Sequence, residues 1–464
     1  MANRKISGEL RSERGSRFYT FTVSIIAAVG GLLFGFDNGV IAGTLPFFSK
    51  HFSLNNVQEG FAVSNLVIGA IIGSLFAGML TDRFGRKKML IFTALLYVVT
   101  AVFAGLSLTY SDLIFARMLG GLAIGISSVA SPMFIAEVAP ADIRGRLVTI
   151  NQLTIVGGIL LSYFTNWLLV DTGQDNWRWM FIVQVIPAGI FFILLFFIPE
   201  SPRWLVIKGK EQKAREIFAR VGGSGHAERE IVEIRKAGEH EEGSLGELFQ
   251  PGFRKALIIG VLLAFFSHMV GINAVSYYAP KLFMQAGFQS ADTAIIASLL
   301  VMATLFVFTI VALALIDRIG RKPLLLIGCL GMGIAFVITG IAFQSSSLGG
   351  MWLLGGLMLY DASFAISMGG VIWVYLSEIF PNKVRGRAMS MATMTLWITE
   401  FFVAQTFPWL VDNIRGNTFF MYAGVCFASF VFVWSMIVET KGKSLEEIEA
   451  MWKGLELDSS GAGK

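Results

Sequence analysis

Twelve stretches of roughly twenty predominantly apolar residues run through this chain, and a stretch of that length suits a membrane-crossing helix. Runs such as Ala188 to Ile198 are continuously apolar, without the alternation that a membrane β-barrel strand requires, so the spans are helical. They fall at about 18–45, 58–80, 88–108, 112–136, 147–170 and 178–198. After a charged interval they resume at about 255–284, 293–316, 323–343, 350–378, 386–410 and 418–438. Only 15% of the 464 residues are charged, against about 25% in soluble proteins. Residues 201–250 alone hold nine basic and nine acidic side chains, so the rest is poorer still. A soluble enzyme, a nucleic-acid binder and a disordered protein are excluded. The lipid bilayer is the first partner, and the chain is expected in a cell (inner or plasma) membrane as a multi-pass protein.

Lys and Arg report the orientation. They cluster before span 1 (Arg4, Lys5, Arg11, Arg14, Arg17) and between spans 2 and 3 (Arg83, Arg86, Lys87, Lys88). They recur between spans 4 and 5 (Arg144, Arg146), 8 and 9 (Arg318, Arg321, Lys322), and 10 and 11 (Lys383, Arg385, Arg387). The alternate loops Thr109–Asp112 and Gln344–Ser347 have none. Both termini and the central charged segment are therefore expected in the cytoplasm. The basic start resembles a signal peptide, but its apolar stretch is too long and contains an aspartate, so span 1 is expected to be retained. Cys329 and Cys426 lie inside predicted spans and make no disulfide framework.

The sequence also repeats itself. Gly78-Met79-Leu80-Thr81-Asp82-Arg83-Phe84-Gly85-Arg86-Lys87 after span 2 returns as Leu315-Ile316-Asp317-Arg318-Ile319-Gly320-Arg321-Lys322 after span 8. Ala136-Glu137 through Arg144-Gly145-Arg146 returns as Ser377-Glu378 through Arg385-Gly386-Arg387. Pro199-Glu200-Ser201-Pro202-Arg203 has a weaker echo in Glu439-Thr440-Lys441. Three motif pairs half a chain apart indicate a duplicated six-helix unit, the layout of an alternating-access carrier with its site near the midplane. The expected fold is an all-α membrane protein of twelve transmembrane helices in two pseudo-symmetric six-helix bundles. Its parts are a cytoplasmic tail (1–17), a first bundle (18–198), a cytoplasmic linker with amphipathic helices (199–253), a second bundle (254–438) and a cytoplasmic tail (439–464). Asp82, Arg86, Glu137, Arg144, Glu200 and Arg203 would form one gating network at the cytoplasmic helix ends, and Asp317, Arg321, Glu378, Arg385 and Glu439 its mirror. Partial desolvation strengthens such pairs. The alternative is that they only anchor topology.

The duplicated Asp-Arg-x-Gly-Arg-Lys loops, Pro-Glu-Ser-Pro-Arg-Trp at 199–204 and Glu-Thr-Lys-Gly at 439–442 resemble the sugar porter family of the major facilitator superfamily. Phe34-Gly35-Phe36-Asp37-Asn38-Gly39 in span 1 and Val270-Gly271-Ile272-Asn273 to Tyr277-Tyr278-Ala279-Pro280 in span 7 extend the resemblance over essentially the whole chain. It is strongest to bacterial proton-coupled importers of xylose, galactose or arabinose. A short span 1–2 loop and the absence of Asn-x-Ser/Thr sequons agree with a bacterial source.

Asp37 lies within span 1 and Arg117 within span 4. A charge at the bilayer centre costs about 2.5–3.5 kcal/mol on insertion scales, so the two should face inward and pair. Burial favours the protonated acid and a nearby guanidinium the carboxylate, an opposition that a carrier can use to take up and release a proton. The resemblance implies that role for both residues; a static ion pair is the alternative. For a sugar or polyol, chemistry asks for amides, hydroxyls and aromatic faces. Gln152 in span 5, Asn273 and Tyr277 in span 7, Trp373 in span 10 and Trp397 in span 11 match sugar-contacting positions of the family, as does Phe34.

Departures from the family pattern concentrate in the second half. Ser267-His268 stands where two glutamines are usual, Leu305 and Leu396 stand where amides are common, and Glu400 where relatives often have Asn. Gln184 occupies a position that is Glu in the xylose symporter. His268 and Glu400 are either ordinary packed polar residues or replacements for the lost amides, contacting a substrate other than a common hexose. Two charged amphipathic helices are expected at about 210–220 and up to about Lys236, and a short tail helix from Ser444. No cofactor, metal-ligand spacing or nucleophile–base pair is found. The leading expectation is proton symport of a monosaccharide or polyol by a monomeric carrier. A proton-independent facilitator is the alternative, and a non-transporting sugar sensor is a further one.

Overall fold

The computed structural model describes residues 16–238, 249–344, 349–380, 384–443 and 447–448. The N-terminal tail to residue 15, Lys383 and most of the expected tail helix from Ser444 lie outside the described residues.

All twelve expected spans are helices. Eleven are long and apolar enough to cross a bilayer: Arg17–His51, Asn56–Phe84, Arg86–Leu106, Tyr110–Val138, Ile143–Leu169, Asn176–Leu195, Phe253–Gln285, Ala291–Ile319, Arg321–Gln344, Gly350–Ile379 and Asn417–Met436. These are spans 1 to 10 and span 12. Span 11 is the helix Arg385–Ile414, of 30 residues; Arg385, Arg387, Glu400 and Asp412 lower its apolar character. Most helices outrun the apolar stretch by a few residues, because their polar ends carry the caps. Span 4, for instance, starts at a capping box in which Thr109 Oγ1 accepts from Asp112 N and Asp112 Oδ2 from Thr109 N.

The chain gathers into two compact units. The first takes span 1 up to Asp37, Ile68–Ser162 and Arg178–Glu241. In its charged segment Ser201 caps the short helix Pro202–Ile207, and the helices Glu211–Gly222 and Ser224–Gly238 follow. Their apolar faces bury Phe218, Ala227 and Ile231 against Trp204 and Leu205, while Arg235 and Glu211 pair on the outside. The amphipathic pattern of the sequence placed both helices.

The second unit takes Asn38–Val67, Tyr163–Trp177 and the chain from residue 242 onward. Two helix breaks shape it. Span 7 divides at Gly271 into Pro251–Met269 and Ile272–Gln285, with Gly271 left-handed at φ 97°. The carbonyl of Val270 beside the break accepts a hydrogen bond from the Tyr360 hydroxyl at 3.0 Å, which satisfies a polar group that lipid could not. Span 10 is interrupted by a π-helical turn, Ala365–Gly369, before Gly370–Ile379.

A Cβ at Gly271 would meet Tyr422 Cδ1 at 3.0 Å as well as forcing an L-residue into the left-handed region. Gly271→Ala should therefore cost about 1–2 kcal/mol. Thermal unfolding in detergent checks it, with Gly78→Ala as a control, because nothing lies within 4 Å of a Cβ there. Equal melting of the two variants would contradict the account of this break.

Candidate functional site

The duplicated motifs build two matching networks. Arg86 forks onto Glu137 through Nε and Nη2, both at 2.9 Å, and its Nη1 lies 3.0 Å from Asp82 Oδ1. Ser201 Oγ donates to Glu137 Oε2 at 2.5 Å, and Glu200 Oε1 accepts from the backbone N–H of Lys87 and Ser201, each at 2.9 Å. In the second copy Arg321 forks onto Glu378 at 2.8 and 3.2 Å and lies 3.3 Å from Asp317. Thr440 takes the part of Ser201, donating to Glu378 Oε2 at 2.5 Å. Glu439 accepts from Arg321 N and Lys322 N, both at 3.0 Å. Burial pushes the Glu439 carboxyl up, but backbone N–H groups from Lys441, Arg321, Lys322 and Thr440 outweigh it and hold it below the ordinary Glu value. Gly85 and Gly320 stand at matching places with φ of 98° and 106°, and a Cβ on either would strike the carboxylate of Glu200 or Glu439. The weak third sequence echo is thus a full structural repeat.

Three expected members stand apart from these networks. Arg144 Nε donates to the Ala139 carbonyl at 3.3 Å, and Arg385 Nε to that of Phe380 at 3.1 Å. Both arginines cap the end of the preceding span rather than meeting an acid. Arg203 is exposed and has no ion pair among the described residues.

Asp37 and Arg117 are 6% and 3% exposed, and the structure sets them face to face in the first unit. Their separation, Nη1 to Oδ1, is 3.8 Å. That exceeds hydrogen-bond length, in contrast with the fork on Glu137. The guanidinium therefore faces the carboxylate without closing a fork. Gly120 makes room for Asp37, since a Cβ there would lie 3.1 Å from Oδ2. Phe34 and Gln152 lie in the same unit, on spans 1 and 5.

In the second unit the break at Gly271 positions four of the expected residues around one acid. Tyr277 OH donates to Glu400 Oε1 at 2.5 Å, and Asn273 Nδ2 lies 3.5 Å from the Tyr277 oxygen. His268 Nε2 is 3.7 Å from Glu400 Oε2, and Ser267 Oγ is 3.0 Å from His268 Nδ1. Glu400 is 2% and Trp397 4% exposed on the same face of span 11. Trp373 is half-buried on span 10, and the structure gives it no part in this cluster. Leu305 and Leu396 are buried, so no polar group replaces the missing amides at those positions.

A feature that the sequence reading missed lies at the span ends away from the basic loops. Lys281 of span 7 pairs with Glu59 of span 2 at 2.6 Å and with Asp412 of span 11 at 3.6 Å. Nearby, Ser64 Oγ donates to Gln405 Oε1 at 2.8 Å and Tyr163 OH to the Ser276 carbonyl at 2.5 Å. These contacts tie spans 2 and 5 to spans 7 and 11 within the second unit. A cavity of about 610 Å³, lined by Leu45, Ser49, Lys50, Glu59 and Lys281, lies alongside. The available signal was a lysine on the side where basic residues are scarce.

Polar groups gathered at a broken helix inside a bundle are how membrane carriers hold a solute, and this sets the chain among secondary transporters. The family model for sugar (and other) transporters matches residues 23–452, and the chain belongs to that family. It is 39% identical to the arabinose-proton symporter of Bacillus subtilis, over 94% of this chain and 95% of that one. To the D-xylose-proton symporter of Escherichia coli it is 38% identical, over 94% and 96%. The inward open conformation of the xylose transporter XylE from E. coli superposes with a TM-score of 0.82 at 36% identity, covering 93% of this chain and 100% of that one. The fold is therefore the twelve-span major facilitator fold.

Removing Lys281 should loosen the seal between these span ends. Lys281→Gln is expected to shift about 1 kcal/mol, roughly fivefold, toward a form open on that side. Thiol labelling of a Leu45→Cys reporter reads this directly, since Cys329 and Cys426 are both buried. An unchanged labelling rate would show that the ion pairs contribute nothing to closure.

Proposed function

We propose that this protein imports a monosaccharide or related polyol by proton symport through alternating access. The observation that carries the proposal is the buried Asp37–Arg117 pair, close enough to feel one another yet not locked, inside a member of the sugar transporter family. Relatives named as arabinose-proton and D-xylose-proton symporters support it. The basic-loop side is the cytoplasmic one, with both termini there, and the chain works as a monomer of two six-helix bundles. Asp37 takes a proton when Arg117 recedes and gives it up when the guanidinium returns. Asn273, Tyr277, His268, Ser267, Trp397 and Glu400 meet the sugar from the second half. Phe34 and Gln152 in the first unit, and Trp373 in the second, are further sugar contacts in this reading. The networks around Arg86 and Arg321 rigidify the cytoplasmic span ends so that each half can rock as a body.

The wild type, reconstituted in proteoliposomes with an inward proton gradient, should concentrate sugar, and a protonophore should abolish this. Asp37→Asn should lose uphill accumulation while retaining counterflow. Accumulation that survives in Asp37→Asn, or a wild type indifferent to the gradient, sinks the coupling assignment; the latter outcome is that of a facilitator.

The cluster on Glu400 makes a second expectation. Glu400→Gln alters what the Tyr277 hydroxyl meets, and His268→Ala removes its neighbour. Leaving one buried partner unsatisfied costs about 1–3 kcal/mol, so sugar affinity should change by roughly 5- to 150-fold. A panel of aldoses and inositols, compared by thermal shift, should also change in rank. Restoring glutamine at 267 and 268 should favour common aldoses. An unaltered panel across all three variants would mean that the sugar binds elsewhere.

A further inference from the structure

Pro280 lies inside the second half of span 7, and Pro408 lies inside span 11. Proline has no N–H, so the carbonyl four residues before each one loses its helical partner. Those carbonyls belong to Ser276 and Ala404, which are 6% and 0% exposed. A buried backbone carbonyl without a helical partner has to be met by a side chain. A tyrosine meets each of them. Tyr163 of span 5 donates to the Ser276 carbonyl at 2.5 Å, and Tyr278 of span 7 to the Ala404 carbonyl at 2.7 Å. The two hydroxyls stand in for the missing N–H groups, and each comes from a neighbouring span.

Other prolines in the spans are not served in this way. Pro46 in span 1 and Pro132 in span 4 also lie inside helices. The Ala42 and Ser128 carbonyls, four residues before them, accept no side-chain hydrogen bond among the described residues.

The two carbonyls that are served bracket the cluster on Glu400. Ser276 lies between Asn273 and Tyr277 in the half-helix that follows Gly271, and Ala404 stands one turn past Glu400. Tyr277 and Tyr278 are consecutive and reach span 11 one turn apart, at Glu400 and at Ala404. The Tyr163 bond ties the same turn of span 7 to span 5. Tyr163 and Tyr278 are both buried, and the Tyr278 ring packs on Phe407 with centroids 5.2 Å apart. Their rings are thus held by packing, which fixes where each hydroxyl reaches.

We propose that Tyr163 and Tyr278 are positioning residues of the sugar site. By taking the carbonyls that Pro280 and Pro408 leave unpartnered, they hold Asn273, Tyr277 and Glu400 in the relative placement that the sugar meets. The proposal rests on the sugar reading of this cluster, and in it the two hydroxyls act through the helices rather than on the sugar. Without its hydroxyl, a buried carbonyl has no partner and the helix shifts to find one. A binding constellation has to be held to within about 0.5 Å, so such a shift weakens it.

The test removes each hydroxyl and then returns the missing N–H. Affinity is measured by calorimetry on purified, folded protein. The probe is D-xylose, or whichever aldose or inositol of the panel the wild type holds more tightly. Tyr163→Phe and Tyr278→Phe should each weaken binding roughly fivefold or more. Adding Pro280→Ala to the first and Pro408→Ala to the second supplies the N–H. The loss, measured against the matching proline variant alone, should then shrink to about twofold or less. A tyrosine that only fills space would give no such rescue. A loss of equal size with and without the proline overturns the proposal, because the hydroxyl then acts on something other than its carbonyl. Undiminished affinity in both phenylalanine variants also overturns it, and the sugar reading survives that result if Glu400→Gln still alters the panel. The two pairs are read separately, so either one decides if the other fails to fold. A wild type that binds no aldose or inositol would remove the sugar reading itself, and this proposal with it.

Discussion

A charge withdrawn from water must find a counter-charge, a set of donors or a proton, and the placement of ionisable side chains in this chain follows from that demand. The three solutions stand side by side. Arg86 and Glu137 take the first, a fork at 2.9 Å. Glu439 takes the second, ringed by backbone N–H groups. Asp37 sits between the first and the third, 3.8 Å from its guanidinium. Where the fork is closed the acid is structural. Where it is stretched, the two groups stand about an ångström further apart and make no fork.

The duplication shows which parts of a half tolerate change. Arg86, Glu137, Glu200 and Ser201 recur as Arg321, Glu378, Glu439 and Thr440 with the same donors and acceptors. A hydroxyl suffices at the last position because only one donated hydrogen bond is asked of it. Inside the spans the halves diverge. The first half keeps one acid beside one arginine, and the second gathers Tyr277, Asn273 and His268 around Glu400.

Much of this was legible in the sequence. Hydropathy gave the twelve spans, periodicity gave the two amphipathic helices after Trp204, and repeated motifs gave the Arg86 and Arg321 networks. The nearness of Tyr277 to Asn273 followed from helical spacing. Other features required the folded chain. Arg144 and Arg385 share a motif with the acids but turn back to their own helix ends, because the orphan carbonyls there are closer than any carboxylate. Lys281 meets Glu59 across more than two hundred residues, a pairing that no local pattern encodes. Asp361 is visible in the sequence as a charge inside span 10, but only the folded chain shows that both its oxygens lack a partner among the described residues.

Helix breaks and buried polar groups belong together here for a common reason. Interrupting a helix in a membrane frees backbone carbonyls, and each freed group must be met by a side chain from a neighbouring span. At Gly271 the Tyr360 hydroxyl meets Val270, which fixes span 10 against span 7. The same break starts a fresh helix whose first turns present Asn273 and Tyr277 to Glu400. A single left-handed glycine thus starts the helix that brings Asn273 and Tyr277 to Glu400 and frees the carbonyl that draws in Tyr360.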